Sequence, residues 1–480
     1  MHYIDLGIFV GYMLLMLGVG YYFMHQNKNQ DDYYVGGRNI GSWHIGLSVV
    51  ATDVGGGFSV GLGGLGFVMG LAGSWMLFTG LLGAWLAAVV LIPRVKSDPA
   101  FANFYTFPQI FDHLFNRKVA LVAAFISLIG YLGFTSSQLL AGAKLASGTF
   151  IELGLTEALV LMGIIAVVYT VLGGLKAVIY TDTVQWIILM LGFILIGLPV
   201  AYFHVGGWES IQATLPESYF SLSNLRWQDL ANWGITIIPI WFIGMTLYQR
   251  IFASRDEKSA KKAWFIAGFF EWPIMAFMGV SLGLLSKVAF EQGLLIIDLD
   301  VMDPEMGLPI LLRTILPPGI LGLMMAAYFS AVLSTADSCL MAASGNLSTD
   351  VLGKWLNPKS ENTQIRYSQL FTLILGVLAL SLALQMTNVL DLMLYSYAFM
   401  VSGLLVPILF GLFTKYRNPQ AAIAAMISGG AMTAGLGMMD WELFLGLDPN
   451  FFGVFTSLAM YLLVIMVYRI KNQNKIKEYA

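Results

Sequence analysis

The sequence predicts an all-helical membrane protein that crosses the bilayer many times, and three observations support this fold class. Of its 480 residues, 58% are hydrophobic and only 11% are charged, whereas a soluble domain carries about a quarter charged residues. Apolar stretches of about 20 residues, the length that crosses a bilayer as a helix, follow one another along nearly the whole chain. Lysine and arginine cluster in alternate connections between these stretches. The composition therefore argues against a soluble enzyme, a disordered chain or a nucleic-acid-binding protein.

Thirteen apolar segments are long enough to cross the bilayer, and the N-terminal one begins at Tyr3. This segment has Asp5 near its start instead of a basic stretch, so we interpret it as a membrane helix and not as a cleavable signal. The connections are short, which predicts a single membrane domain without a separate soluble part. The thirteen segments are 3–24, 43–70, 73–93, 118–146, 156–173, 176–203, 231–252, 263–288, 317–346, 367–386, 388–413, 419–439 and 452–470.

The basic residues predict how these segments are oriented. With the N-terminus outside, 21 of the 25 lysine and arginine residues, Arg250 among them, fall on the inner side, as the positive-inside rule requires. We therefore expect a multi-pass protein of the plasma (inner) membrane with a cytoplasmic C-terminus. The net charge of −3 and the single cysteine, Cys339, indicate neither a nucleic-acid partner nor an internal disulfide.

Four acidic residues, Asp53, Asp182, Glu271 and Asp337, lie deep inside predicted spans. Acids at membrane depth are costly and usually functional. We expect no basic residue deep enough to balance all four, which favours a cation site that faces a cavity. A structural hydrogen-bond network is the alternative interpretation for each of them.

The second span contains three consecutive glycines, Gly55 to Gly57. Each glycine disfavours the helix by about 1 kcal/mol relative to alanine, so the run predicts an unwound segment whose free carbonyl groups are available to a cation. Close helix packing is the alternative use of small residues in a membrane helix. Packing is the role that we expect for the following glycines, Gly61, Gly63, Gly64 and Gly66.

The ninth span carries three hydroxyl groups on one helix face, because Ser334, Thr335 and Ser338 follow a three- and four-residue spacing. Hydroxyl oxygens suit a hard cation, and hydrogen bonding to the preceding helical turn is their alternative role. Counted from the inner ends of their spans, Asp53 and Ser334 lie about 15 Å deep and Asp182 about 10 Å deep. We therefore expect polar groups of three helices to meet in the inner half of the membrane.

A series of motifs along the chain resembles that of a known family. The longest is Tyr169-Thr-Val-Leu-Gly-Gly-Leu-Lys-Ala-Val-Ile-Tyr-Thr-Asp-Thr-Val-Gln185. It is accompanied by Gly37-Arg-Asn39, Ala51-Thr-Asp53, Gln249-Arg250 and Ser334-Thr-Ala-Asp-Ser338. In this order they resemble the sodium:solute symporters, which include bacterial sodium/proline, sodium/galactose and sodium/sialic acid transporters. The resemblance covers nearly the whole chain.

The resemblance implies a LeuT-type core of two inverted five-helix repeats that follow one extra N-terminal helix. On this chain, 3–24 would be the extra helix, 43–203 the first repeat and 231–413 the second repeat. The segment 419–470 would form two C-terminal helices. The seventh span, with Pro239 and Gly244, would be broken like the second span.

The same resemblance implies the ion-binding residues. The principal sodium site would use three carbonyl groups and two hydroxyl groups, those of Ala51, Val54, Ala331, Ser334 and Thr335. Asp53 resembles the acid that proline-type members carry beside this site, where it would act in ion coupling. Asp182 and Ser338 resemble part of a second sodium site found in some members, and the number of sodium ions stays open.

The solute is expected midway across the membrane, between the broken helices. Asp53 resembles the proline type, the glycine run is similar to choline-type sequences, and Phe58 replaces a polar sugar contact of the galactose type. We favour an amino acid such as proline, with sialic acid, a sugar, choline, pantothenate or a carboxylate as alternatives. Simple packing is the alternative role of the aromatic candidates. The candidate lining residues are Gly55, Gly56, Phe58, Ser59, Gln138, Trp241, Phe242 and Tyr248.

Together these observations predict a sodium-coupled symporter that imports a small organic solute by alternating access, and not an enzyme. Gly57-Phe-Ser-Val-Gly61 matches a serine-hydrolase pattern, but it lies inside a span and has no evident base nearby. A solute sensor that keeps the transporter fold is the alternative of a different class. The expected partners are the solute, sodium ions and the bilayer, with no nucleic acid and no obligatory protein partner.

Overall fold

A computed structural model describes residues 3–26, 30–150, 153–295, 303–352, 361–439 and 443–478. The regular elements in these ranges are helices, as the sequence predicts. The main helices are α1 (Tyr3–Gln26), α2 (Ser42–Met69), α3 (Trp75–Leu86), α4 (Arg117–Thr149), α5 (Leu155–Gly192), α6 (Trp227–Ile243), α7 (Met245–Ala253), α8 (Glu257–Phe269), α9 (Ala276–Glu291), α10 (Ile320–Gly345), α11 (Glu361–Ala383), α12 (Val389–Phe413), α13 (Pro419–Gly437) and α14 (Pro449–Glu478). Shorter helices include Gln30–Val35, Phe107–Leu114, Leu198–His204, Gly207–Thr214 and Gly307–Ile315.

Each of the thirteen predicted spans coincides with helix, but their number is not confirmed. In the described ranges, eight helices are long and apolar enough to cross a membrane, or nine if α6 and α7 form one bent span. Tyr3–Met16 and Leu155–Val168 are apolar but shorter. The predicted boundary near residue 174 falls inside α5, which is one helical element from Leu155 to Gly192.

Within the described ranges, three membrane segments are interrupted. α2 leaves helical geometry at Gly55, with φ 40° and ψ −159°, which confirms the predicted break in the glycine run. α6 and α7 meet at 41° around Gly244, whereas Pro239 lies inside α6. The third interruption was not predicted: α8 and α9 are joined by the wide turn Phe270–Met275, in which Trp272 is extended, with φ −141° and ψ 122°.

α2 lies at the centre of the bundle, where it packs against α4, α5, α8, α9 and α10. Its glycines allow this close approach, as the sequence analysis expected. A Cβ atom on Gly66 would overlap the backbone of Val280 in α9, and a Cβ atom on Gly283 of α9 would overlap the backbone of Gly63. The α2–α9 contact is therefore a backbone-to-backbone contact that only small residues permit.

We predict that Gly66→Ala destabilises the protein by about 1–3 kcal/mol, the usual cost of forcing an extra methyl group into a packed interior. The substitution should lower the thermal unfolding midpoint of the purified protein in detergent. Gly435→Ala in α13 is the matched control, because a Cβ atom there meets nothing within 4 Å. Equal midpoints for the two variants would contradict the prediction.

Candidate ion and solute site

The hydroxyl group of Thr335 joins the break in α2 to α10. Its Oγ1 atom lies 3.1 Å from the carbonyl oxygen of Ala51 and 3.3 Å from that of Ala331, and it can donate to either. Val54, the other predicted carbonyl ligand of α2, is buried directly before the break at Gly55. Three of the five predicted sodium ligands thus meet at one point, and the oxygen atoms there are the kind that sodium prefers.

The break itself is held between α4 and α10. A Cβ atom on Gly55 would lie 2.6 Å from Thr335 Oγ1 and 3.0 Å from Gln138 Oε1, and its positive φ also favours glycine. The backbone N–H of Gly56 donates to Gln138 Oε1 at 2.9 Å. Gln138 therefore provides a side-chain acceptor for a backbone N–H group at the break and connects α4 to α2.

Asp182 lies in a fully buried polar cluster on the side of α2 that precedes the break. It accepts hydrogen bonds from Ser334 and, at 2.5 Å, from Ser48. Its Oδ2 atom is also 3.4 Å from Nη2 of Arg250, and neither side chain has exposed surface. Ser334, a predicted ligand of the principal sodium site, thus points its hydroxyl proton at Asp182 in this state.

Arg250, which belongs to α7, occupies the middle of the same cluster. Its Nη2 atom donates to Thr52 Oγ1 at 2.6 Å and to Ser338 Oγ at 3.0 Å, and its Nε atom donates to Ser48 at 3.0 Å. Its Nη1 atom donates to the carbonyl of Thr246 at 3.1 Å. The guanidinium group thereby links α2, α5, α7 and α10 around the buried carboxylate.

The sequence indicates that Arg250 is an inner-side positive charge and part of a family motif, but it does not indicate the pairing with Asp182. The signal was the Gln249-Arg250 motif, which follows the break at Gly244 by only a few residues. Because the chain bends there, α7 stays within the protein and Arg250 has no exposed surface. The two residues predicted for a second sodium site, Asp182 and Ser338, are both held by this arginine.

The other three predicted membrane acids have different surroundings. Asp337 accepts a hydrogen bond from Thr170, which links α10 to α5. Glu271, at the interruption between α8 and α9, faces Asp53 of α2, and the hydroxyl of Tyr397 in α12 is the third polar group beside them. Asp53 is thus in contact with side chains of the α8–α9 interruption and of α12.

The aromatic candidates of α6 and α7 have identified neighbours in the bundle. The ring of Trp241 is 6.4 Å from that of Trp264, centroid to centroid, and is pressed against Gly83 of α3. The ring of Tyr248 is 4.5 Å from that of Phe107, and its hydroxyl donates to the carbonyl of Phe242 at 2.9 Å. These contacts fit the packing alternative.

Two further solute candidates, the side chains of Phe58 and Ser59, lie outside the described residues. A residue that the sequence analysis missed is Tyr131 of α4. Its hydroxyl accepts the N–H of Thr246 at 3.1 Å, just after the break between α6 and α7. Helix α4 therefore supports both breaks, through Gln138 on one side and Tyr131 on the other.

A model of the sodium:solute symporter family matches residues 33–429. The chain is 30% identical to the osmoregulated proline transporter OpuE of Bacillus subtilis, over 89% of this chain and 87% of that protein. It is 27% identical to the high-affinity proline transporter PutP of the same organism, over 92% of this chain and 94% of that protein. It is 26% identical to the sodium/proline symporter of Salmonella typhimurium, over 94% and 91%.

Among solved structures, the chain resembles a sodium-coupled sialic acid symporter in a substrate-bound, outward-open state. The TM-score is 0.79 at 20% identity, and the match covers 97% of this chain and 98% of the other. It also resembles the nucleobase-cation symporter MHP1 with a TM-score of 0.58 at 12% identity, over 92% and 96%. At these identities the likeness shows the fold alone, which is the predicted LeuT type.

The cluster around Arg250 generates a stability prediction. Arg250→Gln leaves the Asp182 carboxylate buried without its counter-charge, which typically costs about 3–5 kcal/mol. The variant should unfold at a lower temperature than the native protein in detergent. The double variant Asp182→Asn/Arg250→Gln removes both charges and should unfold at a higher temperature than Arg250→Gln alone. A double variant that is less stable than the single one would refute the ion-pair interpretation.

Proposed function

Because the chain belongs to the sodium:solute symporter family, we propose that it is a sodium/proline symporter that imports proline by alternating access. The family establishes sodium-coupled solute transport across the membrane. Proline as the solute is supported by three relatives of 26–30% identity, each matched over most of its length. The sialic acid symporter is a less similar relative, at 20% identity, and sialic acid is therefore the second candidate solute.

The observation that carries the proposal is the position of the Thr335 hydroxyl between the carbonyl oxygens of Ala51 and Ala331. We assign the principal sodium site to these groups, together with the carbonyl of Val54 and the hydroxyl of Ser334. Sodium there would join α2 to α10 in place of a hydrogen bond. Each hydroxyl oxygen keeps lone pairs for the ion, so ion binding would require only a reorientation of hydroxyl protons.

The proposed solute site lies at the break in α2, with Gly55, Gly56, Phe58, Ser59 and Gln138 as its lining. The second half of α2 begins there, and the N–H groups at a helix N-terminus favour a negatively charged ligand. The carboxylate of proline suits this position. The N–H of Gly56, which donates to Gln138 Oε1 in this structure, belongs to the same helix start. Trp241, Phe242 and Tyr248 are the proposed aromatic contributors from α6 and α7.

A second sodium site at Asp182 and Ser338 belongs to the proposal only in a state in which Arg250 has moved away. The guanidinium group now donates to Ser338 and pairs with Asp182. A cation could take its place with little change in local charge. During the transport cycle, a sodium ion would then replace the guanidinium group of Arg250 as the cation of this cluster.

The repeat organisation is also proposed, with residues 43–203 and 231–413 as inverted five-helix units. The breaks in α2 and between α6 and α7 support it, because each falls in the first span of its proposed repeat. Residues 3–24 would precede the repeats and 419–470 would follow them. We further propose an outside N-terminus and a cytoplasmic C-terminus, from the distribution of basic residues.

In the proposed cycle, sodium binds first and joins α2 to α10, which favours the outward-open state and prepares the solute site. Solute binding then closes the outer side, and movement of the core opens the inner side. Coupling between the two ligands is reciprocal. Proline should therefore raise the affinity for sodium by the same factor by which sodium raises the affinity for proline.

Uptake into proteoliposomes tests the function directly. With an inward sodium gradient, labelled L-proline should accumulate above its external concentration, and replacing sodium by potassium should abolish accumulation. Sialic acid, a sugar, choline, pantothenate and other amino acids provide the comparison within one experiment. Sodium-dependent accumulation of another solute, with none of proline, would reject proline and identify the solute instead.

The sodium site predicts the effect of Thr335→Ala. Loss of this hydroxyl removes one ion ligand, so the sodium concentration for half-maximal proline uptake should rise by about tenfold, equivalent to 1.4 kcal/mol. Ser344→Ala is the control on the same helix, because the Ser344 hydroxyl bonds only back to Met341 of its own turn among the described contacts. An unchanged sodium dependence in Thr335→Ala would remove Thr335 from the site.

A further inference from the structure

A basic cavity lies where the connection between α12 and α13 meets α14. Lys415 and Arg417 belong to this connection, and Arg469 lies near the end of Pro449–Lys471, the apolar part of α14 that is long enough to cross a membrane. All three side chains line one open cavity of about 800 Å³. The cavity is therefore at the level where two membrane helices leave the bilayer, and it is far along the chain from the proposed ion and solute sites.

The positive charge of this cavity is not balanced by the protein. None of the three side chains forms an ion pair with a carboxylate of the described residues. Other basic residues on the same side of the membrane, in the proposed orientation, do have such partners. Arg38 lies 3.1 Å from Asp31, and Lys261 lies 2.5 Å from Glu257. The cavity is thus suited to an anion that comes from outside the chain.

Contacts within the protein hold the wall of the cavity in place. The guanidinium carbon of Arg469 lies 4.5 Å from the ring centroid of Tyr416, and Nε of Arg417 donates to the carbonyl of Gly411 at 2.9 Å. The hydroxyl of Tyr461 in α14 donates to the carbonyl of Tyr416 at 2.8 Å. Both arginines are therefore positioned before any ligand binds, and among the described hydrogen bonds their terminal N–H groups remain available.

Two helices also begin at the cavity. Asn116, which precedes α4, and Asn418, which precedes α13, both line it. Their side chains accept the backbone N–H groups of Val119 at 3.1 Å and of Gln420 at 2.9 Å. The N-terminal end of a helix carries a partial positive charge. The two helix ends therefore add to the field of the three basic side chains.

The surface of α14 that leads to the cavity is apolar and exposed. Leu463, Met466 and Ile470 are each more than half exposed. Tyr468, which lines the cavity, is half exposed, and tyrosine is typical of the level where a bilayer meets water. A molecule that fits both the cavity and this surface is anionic at one end and apolar at the other.

We propose that this cavity binds the phosphate group of an anionic phospholipid, with Lys415, Arg417 and Arg469 as the residues that contact it. A guanidinium group binds phosphate oxygens through paired N–H groups, and a lysine ammonium group adds a point charge. Basic pockets between membrane helices bind lipid head groups in this way. The acyl chains lie along α14. The lipid then joins the α12–α13 connection to α14 and stabilises the packing of the C-terminal helices.

The test uses the purified full-length protein in detergent, so it depends neither on transport nor on the proposed orientation. Phosphatidylglycerol, phosphatidylcholine or inorganic phosphate is added, and the thermal unfolding midpoint and the lipid retained in native mass spectrometry are measured. A triple variant removes the three contacts, and a matched control removes the same charge from exposed residues outside this cavity. The triple variant is Lys415→Gln/Arg417→Gln/Arg469→Gln, and the control is Arg255→Gln/Lys258→Gln/Lys262→Gln.

Phosphatidylglycerol should raise the unfolding midpoint of the native protein and of the control, and both should retain it. In the triple variant the apparent affinity for this lipid should fall by about tenfold or more, because each basic residue contributes to the attraction. Lys415→Gln alone keeps the contact between Arg469 and Tyr416 and should lose part of the affinity. This single variant separates loss of lipid binding from loss of packing.

Three outcomes would overturn the proposal. Equal stabilisation by phosphatidylcholine would show that the cavity does not select an anionic lipid, since the choline cation should be disfavoured beside these positive charges. Equal stabilisation by inorganic phosphate would identify a site for a soluble anion instead of a lipid. Equal retention of phosphatidylglycerol by the triple variant and the control would place the lipid elsewhere on the protein.

Discussion

The structure depends on one constraint, which is that an interrupted helix inside a membrane must have its freed backbone groups satisfied. At Gly55 the interruption is held by Gln138, which accepts the N–H of Gly56, and by Thr335, which contacts the carbonyl of Ala51. These contacts tie α2 to α4 and α10, and they account for the buried amide and hydroxyl side chains of those helices. In the proposed function, a sodium ion or a solute carboxylate would replace one of these hydrogen-bond partners, and the buried polar groups that it would contact are already in place.

Two buried ion pairs lie beside α2, one near the part before its break and one near the part after it. Before the break, Ser48 and Thr52 contribute to the cluster around Arg250. After the break, Gly64 packs against Glu305, whose carboxylate pairs with Lys144 and accepts two backbone N–H groups of α12. Each end of α2 is thus connected to neighbouring helices by a buried ion pair. Removing one partner of such a pair is costly, so the two ion pairs stabilise the arrangement of the bundle seen in this structure.

The third interruption, between α8 and α9, gives Glu271 its position opposite Asp53. An unbroken helix would continue the hydrogen bonding of α8 through Trp272 and would place the following side chains on other faces. The extended conformation of Trp272 instead turns the chain directly after Glu271, which hydrogen bonds with Asp53 two residues before the break in α2. Membership of the sodium:solute symporter family gives this arrangement its context, because ions and solutes are exchanged where such interruptions meet.

Composition and hydropathy by themselves determined the fold class, the helical segments and their polar residues, since lipid permits few backbone structures. The glycine run also determined the break at Gly55, because three glycines in a helix are locally unfavourable. The number of spans was not settled in this way, and the break at Trp272 gave no comparable local signal. Only the tertiary structure decided which acids have a counter-charge. Arg250 reaches Asp182 across 68 residues of sequence and Glu271 faces Asp53, because partners for buried charges are chosen by distance in space, which periodicity along one helix does not contain.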